Sequence, residues 1–145
     1  MREIEFKGKD KVTGEWRYGY YYSECGCHYI FENRQKESML KRNVIHEVIP
    51  ETVGQFTELL DRNGKRIYEG DILEAISKED RYVGKIVFLQ GTFILQTGIC
   101  KDNNGKEVPE GIPLCDIVRF EKTINLQTKI IGTIHDNPEL LKEAE

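Results

Sequence analysis

The sequence predicts a mainly β protein: a small antiparallel, barrel-like domain with a short C-terminal helix, read as one domain over residues 1–145. Three observations carry that reading. Short apolar runs rich in β-branched and aromatic residues recur along the chain, separated by glycine, asparagine and aspartate turns. Turn signals of the Asn-Gly, Gln-Gly and Glu-Gly-Asp kind sit between them, as antiparallel hairpins require. Only the last stretch, "HDNPELLKEAE", has the capping chemistry of a helix, with Asn137 before Pro138 at the first helical position and Glu139 in the first turn.

In chain order, "EWRYGYYY" alternates so that Trp16, Tyr18, Tyr20 and Tyr22 share one strand face while Arg17, Gly19 and Tyr21 share the other. "NVIHEVI" is a second strand, closed by Pro50. "ETVGQFTELL" has Val53, Phe56, Leu59 and Leu60 at a spacing that suits a helix or a strand, and Gly54 with two threonines favours the strand. "YVGKIVFLQGTFILQTG" reads as two strands meeting at Gln90-Gly91, with Gly84 as a bulge or bend. "DIVRFE" and "KIIGTIH" read as two further strands.

The stretch "LLDRNGKRIYEGDILEA" is dense in turn chemistry. Asn63 and Gly64 are expected to reverse the chain, both at positive φ, and Gly70-Asp71 to turn it again before "ILEAI". Asp71 is expected to bond the backbone of its own turn. "DRNGKRIYEG" at 61–70 and "DNNGKEVPEG" at 102–111 share Asp, Asn, Gly, Lys, Glu and Gly in register. Duplication and convergent turn selection both account for this, and the restricted vocabulary of turns favours the second.

Composition sets the outer limits. Across 145 residues, 39% are hydrophobic and 32% charged, which fits a soluble globular chain long enough to bury a core unaided. A formal net charge of −4 disfavours a general nucleic-acid binder. No apolar run reaches the roughly 18 residues of a membrane helix, and the start lacks the apolar core of a signal peptide, so a cytoplasmic protein without membrane contact is expected. Four cysteines, Cys25, Cys27, Cys100 and Cys115, are then expected as reduced thiols.

No catalytic motif frames His28, His46 or His135, and neither phosphate-loop pattern occurs. "CGCH" places two thiols and an imidazole together, but a zinc knuckle spaces its cysteines more widely, so neither metal nor cofactor is expected. The aromatic row Trp16, Tyr18, Tyr20 and Tyr22 is the candidate binding face, able to stack bases, and "NRQKESMLKRN" sets four basic residues against one acid beside it. The weight of composition places that row in the core and the basic segment in a solvated loop. Ile86, Val87, Phe88 and Leu89 run in succession, so both faces of their strand should be covered, in part by a second copy of the chain.

The ordered blocks "REIEFKGKDKVTGEWRYGY", "PETVGQFTELLDRNGKRIYEGDIL", "GKIVF", "GTF" and "IIGTIHDNPELL" resemble the YopX-like proteins of bacteriophages and prophages, from Arg2 to Leu141. The resemblance implies a mainly β fold, a phage or bacterial-cell origin and a homo-oligomer, and carries no catalytic residues. Glu58-Leu59-Leu60 departs from a Gly-Leu pair common there, and Gly98 to Glu121 has no counterpart. The function expected is that of a non-enzymatic, self-associating protein-interaction module; the alternatives are a single-stranded nucleic-acid binder and, more distantly, a zinc module or enzyme.

Overall fold

The computed structural model describes residues 2–34, 38–40, 42–78, 81–120 and 127–143. The chain is mainly antiparallel β and divides into two compact units, Met1–Glu58 and Leu59–Glu145.

The first unit holds strands β1 (Phe6–Lys9), β2 (Trp16–Glu24), β3 (Cys27–Glu32), β4 (Val44–Glu47) and most of β5 (Gly54–Leu60), in the order β4-β3-β2-β1-β5. β2 and β3 form a hairpin whose turn residues Cys25 and Gly26 both take positive φ, the combination a tight two-residue hairpin needs. The sheet curls until the end of β4 meets the end of β1. Asp10 bridges Val48, Lys11 N–H donates to the Glu47 carbonyl, and Ile49 N–H donates to the Lys9 carbonyl. The result is a curled sheet joined at that point rather than the regular barrel expected. Gly8 permits it, since a side chain there would press on Val48. Inside the curl lie Ile30, Val48, Asp10 and His46, all buried.

Residues 51–60, open between helix and strand in the sequence, are a single-turn 3-10 segment (Pro50–Thr52) followed by β5.

The second unit continues through β6 (Arg66–Tyr68), then β7 (Asp71–Ile76), β8 (Arg81–Leu89), β9 (Thr92–Lys101), β10 (Glu107–Pro113), helix α1 (Leu114–Phe120), β11 (Gln127–Thr133) and helix α2 (Glu139–Glu143). Its sheet runs β10-β9-β8-β7-β11. The core gathers Ile67, Leu73, Ala75, Ile86, Leu95, Leu114 and Ile117, and burial of its leucine and isoleucine side chains contributes roughly 1.5–3 kcal/mol each. The hairpin at Gln90-Gly91 forms as read, both residues at positive φ.

Three expectations change. The segment "DIVRFE" is not a strand; its described part belongs to α1, which places Leu114 and Ile117 one helical turn apart on the core. Asn63 does not take positive φ; only Gly64 does, at 80°. Asn137 does not cap α2 with its side chain; its Oδ1 accepts from Thr133 N–H instead.

The twin turns are superimposable in their bonding. In the first, Asp61 N–H donates to Lys65 O and Gly64 N–H to Asp61 O, while Asp61 Oδ1 accepts from Asn63 and Lys65 N–H. In the second, Asp102, Gly105, Asn104 and Lys106 repeat all four bonds. The elements after the two hairpins differ: β7 comes after the first and α1 after the second. Asp71 Oδ2 accepts from Tyr68 N–H, which fixes the second turn of the stretch that begins at Leu59.

Ile86, Val87, Phe88 and Leu89 lie on β8, an inner strand with β7 and β9 on its two sides. Ile86 is buried in the core that α1 covers, and Leu141 of α2 lies on the opposite face beside Val83 and Lys85. The chain's own helices therefore supply much of the cover that the apolar run was expected to draw from a partner. Phe88 remains exposed, edge-on to Phe93 at 5.1 Å.

Candidate functional site

Strand alternation does in β2 what the sequence indicated: Trp16, Tyr18, Tyr20 and Tyr22 share one face. Their burial is the reverse of what composition suggested. Tyr18, Tyr20 and Tyr22 are 46%, 49% and 38% exposed, and only Trp16 is half-buried among the four. The curl explains this, because the opposite face of the strand, with Arg17 and Gly19, lines the tight interior. Gly19 lies against the Phe31 carbonyl oxygen so closely that a side chain would collide with it. At that position the strand has no room for a ring, and on this face only Tyr21, further along, carries one, packed on Phe6.

Register builds the row into a surface. Lys7 and Lys9 of β1 lie opposite Tyr18 and Trp16; Phe31 and Tyr29 of β3 lie opposite Tyr20 and Tyr22; Ile45 of β4 lies opposite Phe31. The rings pair across strands, Tyr20 with Phe31 at 6.3 Å and Tyr22 with Tyr29 at 5.1 Å, contacts of the kind worth roughly 0.2–1 kcal/mol each. The ammonium of Lys7 sits 4.4 Å from the Trp16 ring centroid and that of Lys9 at 5.5 Å, within cation–π range. Tyr29 bonds to Cys27, which with partial burial holds its phenol above the ordinary value.

Beneath this surface runs a charged network that ties the curl together. His46 Nε2 is 2.8 Å from Glu32 Oε2, and its Nδ1 is 3.5 Å from Asp10 Oδ2. Arg17 Nε donates to Asp10 Oδ2 at 3.2 Å, and Arg34 Nε approaches Glu32 Oε1 at 3.3 Å. The backbone N–H groups of Val12 and Thr13, and then Arg17, hold Asp10 below the usual carboxylate range. Burial pushes Glu32 up, but the bonds to His46 and Arg34 outweigh it and leave its carboxyl below the ordinary value. Sequence reading passed over His46 as one strand histidine among three. Its partners Asp10 and Glu32 are 36 and 14 residues away, and only the register brings them together.

The other candidates occupy structural positions. His28 Nδ1 bonds to the Tyr21 hydroxyl, whose ring also packs on Phe6. Cys25 and Cys27 sit at the β2–β3 turn, Cys100 on β9 and Cys115 on α1. Among the described residues, no three His, Cys, Asp or Glu side chains gather in a way that could hold a metal ion. Among them, too, no helix is long and apolar enough to cross a membrane.

Comparison with known proteins adds family and fold. A family model described as "YopX protein" matches residues 5–142, across both units. No curated protein matches. The chain is similar in structure to the crystal structure of protein EF1440 from Enterococcus faecalis, with a TM-score of 0.50 and 20% sequence identity over 97% of this chain and 99% of that one.

Proposed function

The chain belongs to the YopX family, and from that premise we propose that it is a phage- or prophage-encoded accessory protein of the bacterial cytoplasm that works by binding rather than catalysis. It self-associates and docks a protein partner through the tyrosine face of its first unit. The observation that carries this reading is the exposure of Tyr18, Tyr20 and Tyr22 beside Ile45 on one sheet face. A contiguous apolar and aromatic surface of that kind marks an interaction site, and tyrosine gives large contact area for little lost side-chain entropy.

One observation favours a second reading. Lys7 and Lys9 stand over Trp16 at the head of the tyrosine row, an arrangement that single-stranded nucleic acid exploits by stacking bases and neutralising phosphates. The near-complete burial of Lys7 argues against it, since its ammonium already faces the ring.

Sedimentation equilibrium separates the readings. The wild-type chain is expected above its 16.9 kDa monomer mass at micromolar concentration, and Tyr22→Ser with Ile45→Ser to move it toward 16.9 kDa. A wild type that stays monomeric overturns self-association. Salt-sensitive binding of an oligothymidylate, lost on Trp16→Ala with Tyr18→Ala in a folded protein, makes the nucleic-acid reading the better one.

A further inference from the structure

Two of the chain's four cysteines sit one residue apart at the tip of the β2–β3 hairpin, Cys25 in the turn and Cys27 as the first residue of β3. Both are free thiols; Cys25 is exposed and Cys27 half-buried, so each is within reach of a reagent in solution. Cys25 has a φ of 52° and Gly26 one of 79°. A hairpin of this kind normally takes asparagine, aspartate or glycine at the first of these positions, because most side chains strain left-handed backbone. Cysteine gains nothing there as a turn former, and strain kept at a reactive residue points to a use beyond the turn.

The turn also sets a distance. Left-handed backbone at Gly26 holds the Cα atoms of its two neighbours about 5.4 Å apart, the mirror image of the two-residue spacing in a right-handed helix. Disulfides bridge Cα atoms about 4.4–6.8 Å apart, so Cys25 and Cys27 are within bonding range. So short a loop strains the bond it closes, which makes that bond readily reducible. The two thiols are not equivalent. Cys25 is the more open one, whereas Cys27 pairs with Glu24 and shares a strand face with Tyr29, its sulfur bonded to the phenol. Cys100 and Cys115 make no second pair: Cys100 lies opposite Val108 near the start of β10 and Cys115 follows its end on α1, so most of that strand separates them.

We propose that Cys25-Gly26-Cys27 is a reversible dithiol–disulfide site whose substrates are small disulfides of the glutathione type. Cys25, as thiolate, attacks one sulfur of the substrate, forms a mixed disulfide and expels the first thiolate, which takes up the proton Cys25 has lost. Cys27, as thiolate, then attacks the Cys25 sulfur, closes the Cys25–Cys27 bond and expels the second thiolate, which is protonated in turn. The two protein thiols give up two electrons, and one substrate disulfide becomes two thiols. Closure exchanges the Cys27–Tyr29 contact for a covalent bond. In a reducing compartment the pair stands open and closes when the glutathione pool is oxidised, which is how a redox-responsive site behaves. This site does not depend on the docking role given to the tyrosine face.

The test equilibrates the full chain in buffers of graded glutathione to glutathione-disulfide ratio, quenches with acid, alkylates the remaining thiols and maps the peptides by mass spectrometry. The wild-type chain is expected to form an intramolecular Cys25–Cys27 disulfide that opens again as the ratio turns reducing. Cys27→Ser removes only the second thiol, so it is expected to stop after the first exchange and to carry glutathione on Cys25 at a level about tenfold or more above the wild type. Serine at this position keeps the size of the side chain, so the hairpin is retained. A wild type that carries glutathione on Cys25 to the same extent as Cys27→Ser overturns the proposal, because the second thiol then resolves nothing. A wild type whose Cys25 and Cys27 both stay free in glutathione disulfide alone overturns it as well. The sedimentation result does not bear on either outcome, so the two readings fail separately.

Discussion

Asp61 and Asp102 offer an internal control, because they make the same turn in the same unit with different surroundings. Each accepts two turn N–H bonds through Oδ1. Asp61 alone is buried, at 5% exposure, and its Oδ2 also accepts from Ile130 N–H of β11 at 3.1 Å. The neighbouring Arg62 N–H donates to Thr128 O, so this turn closes along the side of β11. Asp61→Ala removes acceptors from three backbone donors. Water can reach the exposed turn amides, which limits their loss to about 0.5 kcal/mol each. The half-buried Ile130 N–H, together with the buried site left empty, adds about 1–3 kcal/mol, for a total of roughly 2–4 kcal/mol. Asp102→Ala should cost only about 0.5–1 kcal/mol, because water replaces everything its carboxylate did. With a urea dependence of about 1.5 kcal/mol/M, the two midpoints should differ by roughly 1–2 M. Asp61→Asn should fall between them, since an amide can present its oxygen to the turn or to Ile130 but not to both. Paired urea titrations of the two alanine variants are the assay. Midpoints that coincide would refute the idea that the buried carboxylate, rather than the turn itself, is what this motif preserves.

Two further outcomes are expected from the same geometry. Gly64 carries a positive φ of 80° while Asn63 does not, so Gly64→Val should cost about 1–2 kcal/mol and Asn63→Ala should stay within about 0.5 kcal/mol of neutral; equal effects in thermal unfolding would put both residues in left-handed backbone after all. Asp10 and Glu32 are held below their ordinary values of 3.8 and 4.5, so the stability they contribute is fully present above those values and is lost as pH falls through their lower folded-state values. Asp10→Asn should therefore flatten the acid limb of a stability–pH profile, and an unchanged acid limb would show that the network is passive.

The legible parts of the fold were those written in local chemistry. Gln90-Gly91 between two apolar runs names its own hairpin, and Pro138-Glu139 names the start of α2. Gly54 and Thr57 of β5, with Thr52 just before it, outweighed an apolar spacing that also suited a helix. Helix α1 escaped because it is one short element rich in β-branched residues, and seven residues give periodicity little room to speak. The signal was present in Pro113 followed by Leu114 and Ile117, three apart and both fully buried. β10 escaped for the opposite reason. "EVPEGIP" carries two prolines and a glycine, which reads as loop, yet β10 lies at the edge of its sheet, where proline is tolerated because one side of the strand has no ladder to donate to.

The tyrosine row shows where local reading ends. Alternation determines which residues share a face, but it carries no sign saying which face is inside. In an ordinary open sheet the aromatic face would be the inner one, and composition argued for that outcome. Here the decision was made by residues elsewhere: Gly8 on β1, the Asp10–Val48 bridge, and the polar contacts of His46 and Arg17 with Asp10 that occupy the interior of the curl. A sheet that curls over small and hydrogen-bonded residues has no volume for four large rings, so it must turn them outward. The same closure that gives the first unit its core therefore produces the exposed aromatic surface and, where the chain before β1 passes beside Tyr18 and Tyr20, the groove between them. Loosening the curl should disturb both. Gly8→Val, which sets a branched side chain against Val48, is the change that would couple a packing defect inside to a loss of binding outside.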